Sequence, residues 1–154
     1  MADAERPPWL PLGSLLVREG LITLEQLELA LLDQEHARRR LGEILVDLGW
    51  VTSRDIAWAL SQQYEMDFVD LAQGKIDEEL ARLLPAELAR RYQALPVRLL
   101  PGGVLLMAIA DPTDVGACDE LRAAMPAPIR LAVADWIELQ RAIAEIHGPR
   151  LPRA

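Results

Sequence analysis

PLGSLLVREGLITLEQLELALLDQ, residues 11–34, returns as RLGEILVDLGWVTSRDIAWALSQQ, residues 40–63, so the two copies begin 29 residues apart. Leu12, Gly13, Leu16, Val17, Gly20, Thr23, Ala30, Leu31 and Gln34 recur as Leu41, Gly42, Leu45, Val46, Gly49, Thr52, Ala59, Leu60 and Gln63. Helical periodicity alone would repeat only the leucines. Here glycine, threonine and glutamine repeat with them, the mark of a duplicated structural unit. Each copy reads as a short helix, a glycine stop and a longer helix. In the first, Leu12, Leu15, Leu16 and Glu19 keep helical spacing, and Gly20 falls where a left-handed C-terminal cap belongs. Thr23 with Gln26 three residues on forms a capping box, and Leu24, Leu27, Ala30 and Leu31 give the next helix an apolar stripe. In the second, Gly49 stops the first helix, Thr52 or Ser53 caps the next, and Ile56, Ala59, Leu60 and Gln63 continue it. Neither hairpin is long enough to bury its apolar face alone, so the two should pack on each other about a pseudo-twofold or as a screw-like repeat.

At 154 residues the chain has the size of one domain or of two small subdomains. Its aromatic content is low and dominated by Trp9, Trp50, Trp58 and Trp136, which suits a Leu/Ala-rich helical protein better than a β-sandwich. No apolar run approaches the ~20 residues that span a bilayer. The opening MADAERPPWLP, acidic and broken by proline, has no signal-peptide character. The expectation is a cytoplasmic protein without membrane insertion. A net charge of −8 opposes general DNA or RNA binding, which needs a basic face. An anionic ligand would therefore need a local cationic pocket. Arg38, Arg39 and Arg40 are the candidates, although such a run is commonly a solvated face. Cys118 is alone and reads as a small core residue. His36 and His147 lack metal-ligand spacing.

Beyond residue 66 the pattern changes. FVDL (68–71) reads as a short strand, and IDEELARLL (76–84) and PAELARRY (85–92) as helices, the second with Pro85 in its first turn. ALPVRLL (94–100), the PGG turn (101–103) and VLLMAIA (104–110) predict a β-hairpin. Asp111-Pro112-Thr113-Asp114 caps a helix through VGACDELRAAM, PIRLAVA (128–134) is another strand, and Asp135 caps a last helix that ends at Gly148. The fold class is mixed α/β (α+β). An all-helical tandem repeat of two helical hairpins over 11–65 is packed on a small α/β sandwich over 66–148, between a flexible N-terminus, 1–10, and a flexible tail, 149–154.

The chain has no phosphate-loop pattern, no nucleophile elbow, no Ser/His/Asp set and no H-E-x-x-H, so no enzyme is expected. Asp111 and Asp114 could pair as catalytic carboxylates, but an N-cap with macrodipole compensation accounts for them more simply. The repeat has residues suited to a nucleotide. Leu12-Gly13 and Leu41-Gly42 at helix starts offer backbone N–H groups and a residue without Cβ. Arg40 offers a forked donor for guanine or phosphate. Leu27, Leu31, Ile56 and Leu60 offer apolar surface, and Gln34 and Gln63 two-way amides. The same residues also describe ordinary helix core with a polar edge.

Two 24-residue motifs of the form RLG-x-x-L-V-x-x-G-x-x-x-x-x-x-L-x-x-x-L-x-x-Q, separated by Glu35 to Arg39, resemble the N-terminal, MshE-type domain of type II secretion and type IV pilus assembly ATPases. LPAELARRYQALPVRLLPGGVLLMAIADPTD is similar to that family's second half. The resemblance implies a non-catalytic regulatory domain that binds cyclic di-GMP and no other cofactor. The implied ligand-binding residues are Leu12, Gly13, Leu27, Leu31 and Gln34 in the first copy and Arg40, Leu41, Gly42, Ile56, Leu60 and Gln63 in the second. Asp111, before Pro112, would accept from a guanine edge. The implied partners are a secretion or pilus ATPase and an inner-membrane platform protein. The alternative is a docking module for such a partner, without a nucleotide, using the acidic helices at 76–91 and 135–147. A third possibility is a purely structural packing domain. The first motif departs from the family: Pro11 stands where arginine is expected. Losing one charged, bidentate contact costs about 1.5–3 kcal/mol, roughly ten- to a hundred-fold in affinity. Arg6 or Arg18 are the replacements in reach by sequence, and Trp50 could stack on a base or cover the helix joint.

Overall fold

The computed structural model describes residues 11–37 and 39–148. The expectations for 1–10, Arg38 and 149–154 lie outside the described residues. The chain divides into two compact units, residues 1–65 and 66–154.

In the first unit, α1 (Leu12–Arg18) and α2 (Leu24–Ala37) come from the first copy, and α3 (Leu41–Asp47) and α4 (Ser53–Gln63) from the second. Both short helices end in the same hydrogen-bonded stop. Leu21 N–H reaches Leu16 O at 2.9 Å and Gly20 N–H reaches Val17 O at 3.0 Å; Trp50 and Gly49 repeat this to Leu45 and Val46 at 3.2 and 2.9 Å. Gly20 and Gly49 sit at φ 75° and 76°, the left-handed region that a side chain disfavours. Each long helix opens with a capping box. Thr23 N–H donates to Gln26 Oε1 at 2.9 Å and Gln26 N–H to Thr23 Oγ1 at 3.1 Å. Thr52 and Asp55 form the equivalent pair at 3.0 Å in both directions. Thr52 is therefore the cap, and Ser53 is the first helical residue.

Packing within this unit is reciprocal: α1 contacts α4 as α3 contacts α2, and α1 contacts α2 as α3 contacts α4. Exchanging the copies maps every one of these contacts onto another. That is the behaviour of a closed pseudo-twofold, where a screw-like repeat would leave the outer contacts unmatched. Leu16 and Leu45, equivalent in the two copies, are both fully buried, as are the equivalent Ala30 and Ala59.

The second unit is built on a four-stranded mixed sheet in the order β1-β4-β3-β2. Its strands are β1 (Asp67–Phe68), β2 (Ala94–Leu100), β3 (Val104–Ile109) and β4 (Ile129–Val133), and its helices are α5 (Glu78–Ala81), α6 (Ala86–Tyr92), α7 (Val115–Ala124) and α8 (Trp136–His147). β1 and β3 run parallel to β4, while β2 pairs antiparallel with β3 through a Pro101–Gly103 turn. Pro96 lies in β2, at the sheet edge and beside a register shift, where its missing N–H breaks little pairing. Met107, Ile109, Leu121, Leu131, Leu139 and Ile143 are among the buried side chains that join sheet and helices.

Several boundaries differ from the sequence reading. The strand expected over 68–71 is short: it pairs at Asp67–Phe68, and Val69 N–H adds one bond to Val133 O at 2.9 Å. Asp70 Oδ1 then accepts from Ala72 N–H at 3.0 Å, an Asx turn that ends the extended run. The helix expected over 76–84 is confined to Glu78–Ala81, capped by Asp77, and Pro85 is the N-cap of α6 and lies outside its first turn. Arg90 Nη2 donates to the carbonyls of His147 and Gly148 at 3.0 and 2.9 Å, closing the C-terminus of α8. Burial, followed by the charges of Arg90 and Arg82, pushes the His147 imidazole below its ordinary value. Among the described residues, no helix is long and apolar enough to cross a membrane, and no group of His, Cys, Asp or Glu is arranged to hold a metal.

Candidate functional site

The motif residues of the first unit lie in two equivalent sets. Leu12 and Gly13 begin α1, and Leu41 and Gly42 begin α3; in each pair the leucine is half-buried and the glycine buried. The correspondence extends further. Residues 11–22 and 40–51 pass through the same order of exposed, half-buried and buried positions without exception. Pro11 and Arg40 are the N-caps, at φ/ψ −56°/146° and −68°/140°, and their carbonyls accept from Leu15 and Ile44 N–H at 3.0 and 3.2 Å. Proline thus keeps the backbone that arginine has in the other copy. What the first copy lacks is the guanidinium, together with the backbone N–H that proline does not have. Arg18 cannot be regarded as its neighbour in sequence: it sits at the far end of α1, about 10 Å along the axis by helical rise.

The two glycines have a packing reason of their own. A Cβ on Gly13 would lie 2.5 Å from Leu27 Cδ1 and 3.1 Å from Leu41 Cδ2, and one on Gly42 would lie 2.9 Å from Ile56 Cγ2. The space that glycine leaves is filled by Leu27 or Ile56 of the copy's own long helix, and at Gly13 also by Leu41 of the other copy. The structure therefore brings Gly13, Leu27 and Leu41 together, and Gly42 with Ile56.

Along each long helix the motif residues fall at i, i+4 and i+7, one face of a helix. Leu27 and Ile56 are buried under the short helices, whereas Leu31 is exposed and Leu60, Gln34 and Gln63 are half-buried. Apolar surface is thus offered by the later residues of the stripe, not by its first. Of the arginine run, Arg39 is engaged by two carboxylates of α3, with Glu43 Oε2 at 3.8 Å from Nε and Asp47 paired to Nη2. Arg40 is exposed at the α3 N-cap, next to the N-terminal end of the helix dipole.

Asp111 belongs to the second unit. Its Oδ1 accepts from Thr113 N–H at 2.9 Å and from the Thr113 hydroxyl, so this carboxylate is oriented by a local turn. Asp114, not Asp111, caps α7, accepting from Ala117 N–H at 3.0 Å. The second unit also holds a trough of about 520 Å³ between residues 67–74 and the sheet. Across it, strand register places Arg98, Leu106 and Arg130 in one row, with Arg130 Nε 2.7 Å from Asp67 Oδ2. No spacing in the sequence announces that row, because it depends on which strands pair.

Comparison with known proteins agrees with this architecture. The MshEN domain family model matches residues 64–153. The solved structure of MshE with cdg superposes with a TM-score of 0.75 at 33% identity, covering 89% of this chain and 99% of that one. The N-terminal domain of XpsE shares the fold, with a TM-score of 0.62 at 22% identity over 86% of this chain and 90% of that one. The type IV pilus assembly ATPase PilB of Myxococcus xanthus (strain DK1622) is 30% identical over 141 residues, 92% of this chain but 25% of its own length. This chain thus spans about a quarter of that relative. The chain belongs to the MshEN domain family.

Proposed function

We propose that this domain is a non-catalytic receptor for cyclic di-GMP, acting on the cytoplasmic side to regulate a secretion- or pilus-type ATPase. The observation that carries the reading is the equivalence of the two helix starts, Pro11-Leu12-Gly13 and Arg40-Leu41-Gly42, in backbone angles and burial about a pseudo-twofold. A ligand with two guanines and two phosphates is itself twofold and can engage both. The likeness to MshE, whose structure was solved with cdg, supports the same ligand class. Arg40 would donate to guanine or phosphate, Leu31 and Leu60 would lie against a purine face, and Gln34 and Gln63 would meet its edges. Leu12, Leu41, Gly13, Gly42, Leu27 and Ile56 would hold the short helices at the height that the ligand needs. Asp111, already oriented by Thr113, would accept from a guanine N–H edge.

Calorimetric titration with cyclic di-GMP, with GTP and cyclic di-AMP as controls, tests this. Saturable binding is expected, lost or weakened at least tenfold in Arg40→Ala. Because Pro11 keeps the arginine-type backbone, Pro11→Arg should restore the second guanidinium and tighten binding by roughly ten- to a hundred-fold. No heat at several hundred micromolar ligand in either the parent or Pro11→Arg would refute the receptor reading.

A further inference from the structure

The second long helices of the two copies are not equivalent at their surfaces. Leu24, Leu29 and Leu32 on α2 are 60%, 55% and 56% exposed. The positions that match them on α4 are Ser53, Trp58 and Ser61, of which the serines are buried and the tryptophan half-buried. The three leucines are therefore not part of what the repeat requires: the shared positions are Ala30/Ala59, Leu31/Leu60 and Gln34/Gln63. At 100° per residue Leu29 and Leu32 lie roughly 100–160° around the helix from Leu27, Leu31 and Gln34, while Leu24 borders the stripe beside Leu31, so the separate face is centred on Leu29 and Leu32.

The charge on that face is one-sided. α2 carries Glu25, Glu28, Asp33 and Glu35 and neither lysine nor arginine, and Glu25, Glu28 and Glu35 fall in the same sector as the leucines. None of the four carboxylates is ion-paired among the described residues. Exposed leucines spaced for helix packing and interleaved with uncompensated carboxylates form half of a helix–helix interface, and the missing half must be apolar and basic. A second copy of this face would set carboxylate against carboxylate and is disfavoured.

We infer that the exposed face of α2 centred on Leu29 and Leu32 docks a basic amphipathic helix of a partner protein, on the side of the helix away from Leu27 and Gln34. The test uses the full chain and a fluorescein-labelled 18-residue amphipathic Leu/Lys peptide. Controls are the same residues in scrambled order and the Leu/Glu counterpart. Anisotropy should show saturable binding of the Leu/Lys peptide that weakens with salt, with amide shifts confined to α2. Leu29→Gln with Leu32→Gln, which keeps helix propensity, should weaken it at least tenfold. Glu25→Lys with Glu28→Lys should do the same, and Leu99→Gln, at a leucine 59% exposed on β2, should leave affinity within twofold. Equal binding of the scrambled peptide, equal binding by the α2 variants, or shifts that map elsewhere would overturn the inference. A concentration-dependent dimer abolished by Leu29→Gln with Leu32→Gln would also overturn it, in favour of a second copy as the occupant.

Discussion

The two copies agree where the chain makes its short helices and part company where it makes its long ones. Over residues 11–22 and 40–51 every position has the same degree of burial, although fewer than half of the residues there are identical. Over 23–34 and 52–63 the pattern diverges: α2 presents leucine and glutamate to the outside, while at α4 even Ser53 and Ser61 are buried. Each short helix contacts both long helices, so it sees the same neighbours in both halves. The long helices keep equivalent short-helix neighbours, yet their other positions differ in burial between the copies. The repeat is thus strict along its short helices and free along its long ones.

The largest test of this symmetry is at its centre. Leu16→Ala and Leu45→Ala, at equally buried positions, should each cost about 2–5 kcal/mol of stability and agree within about 1 kcal/mol. Urea unfolding measures both, and a clear inequality would mean that the two halves are not equivalent even in the core. The glycines should break the equality. Gly42→Ala meets Ile56 Cγ2, a methyl on a stiff β-branched carbon, and should cost about 1–3 kcal/mol. Gly13→Ala meets Leu27 Cδ1, the end of a side chain that can rotate, and should cost less despite the shorter contact. The reverse order would show that Leu41, which also closes on Gly13, dominates that joint. The smallest effect is at the caps. Thr23→Ala and Thr52→Ala should each lose about 1 kcal/mol, since both boxes are made with similar geometry. Helix loss confined to one long helix, seen by amide exchange, would show which of the two depends on its cap.

Legibility followed the range of the interactions. Gly20, Gly49 and the Thr23 box could be read directly, because each feature closes a hydrogen bond within three to five residues. Asp114 and Asp135 could be read as caps for the same reason. In the second copy the sequence allows Thr52 or Ser53 as the cap, and only the Thr52–Asp55 box decides between them. β1 was read too long, since the turn made by Asp70 competes with pairing and the apolar pattern of FVDL does not register it. The helix over 76–84 was read too long as well, its apolar spacing continuing past the point where Ala81 ends α5. On the candidate site, the stripe of Leu27, Leu31 and Gln34 could be read as one helix face. How far each residue is covered could not, and Leu27 proves to be spent on Gly13.

The sequence by itself determined that each copy is a short helix, a glycine stop and a capped longer helix, and that strands follow beyond residue 66. Neighbours in the chain carry those instructions in full. Only the tertiary structure decided that the copies close about a twofold, that Gly13 and Gly42 make room for Leu27 and Ile56, and that the strands order as β1-β4-β3-β2. It also decided that leucines of α2 stay at the surface while serines of α4 are buried. The physical reason is that burial and pairing depend on which distant segments arrive, and hydrophobic contact, being non-directional, leaves no local mark of its partner.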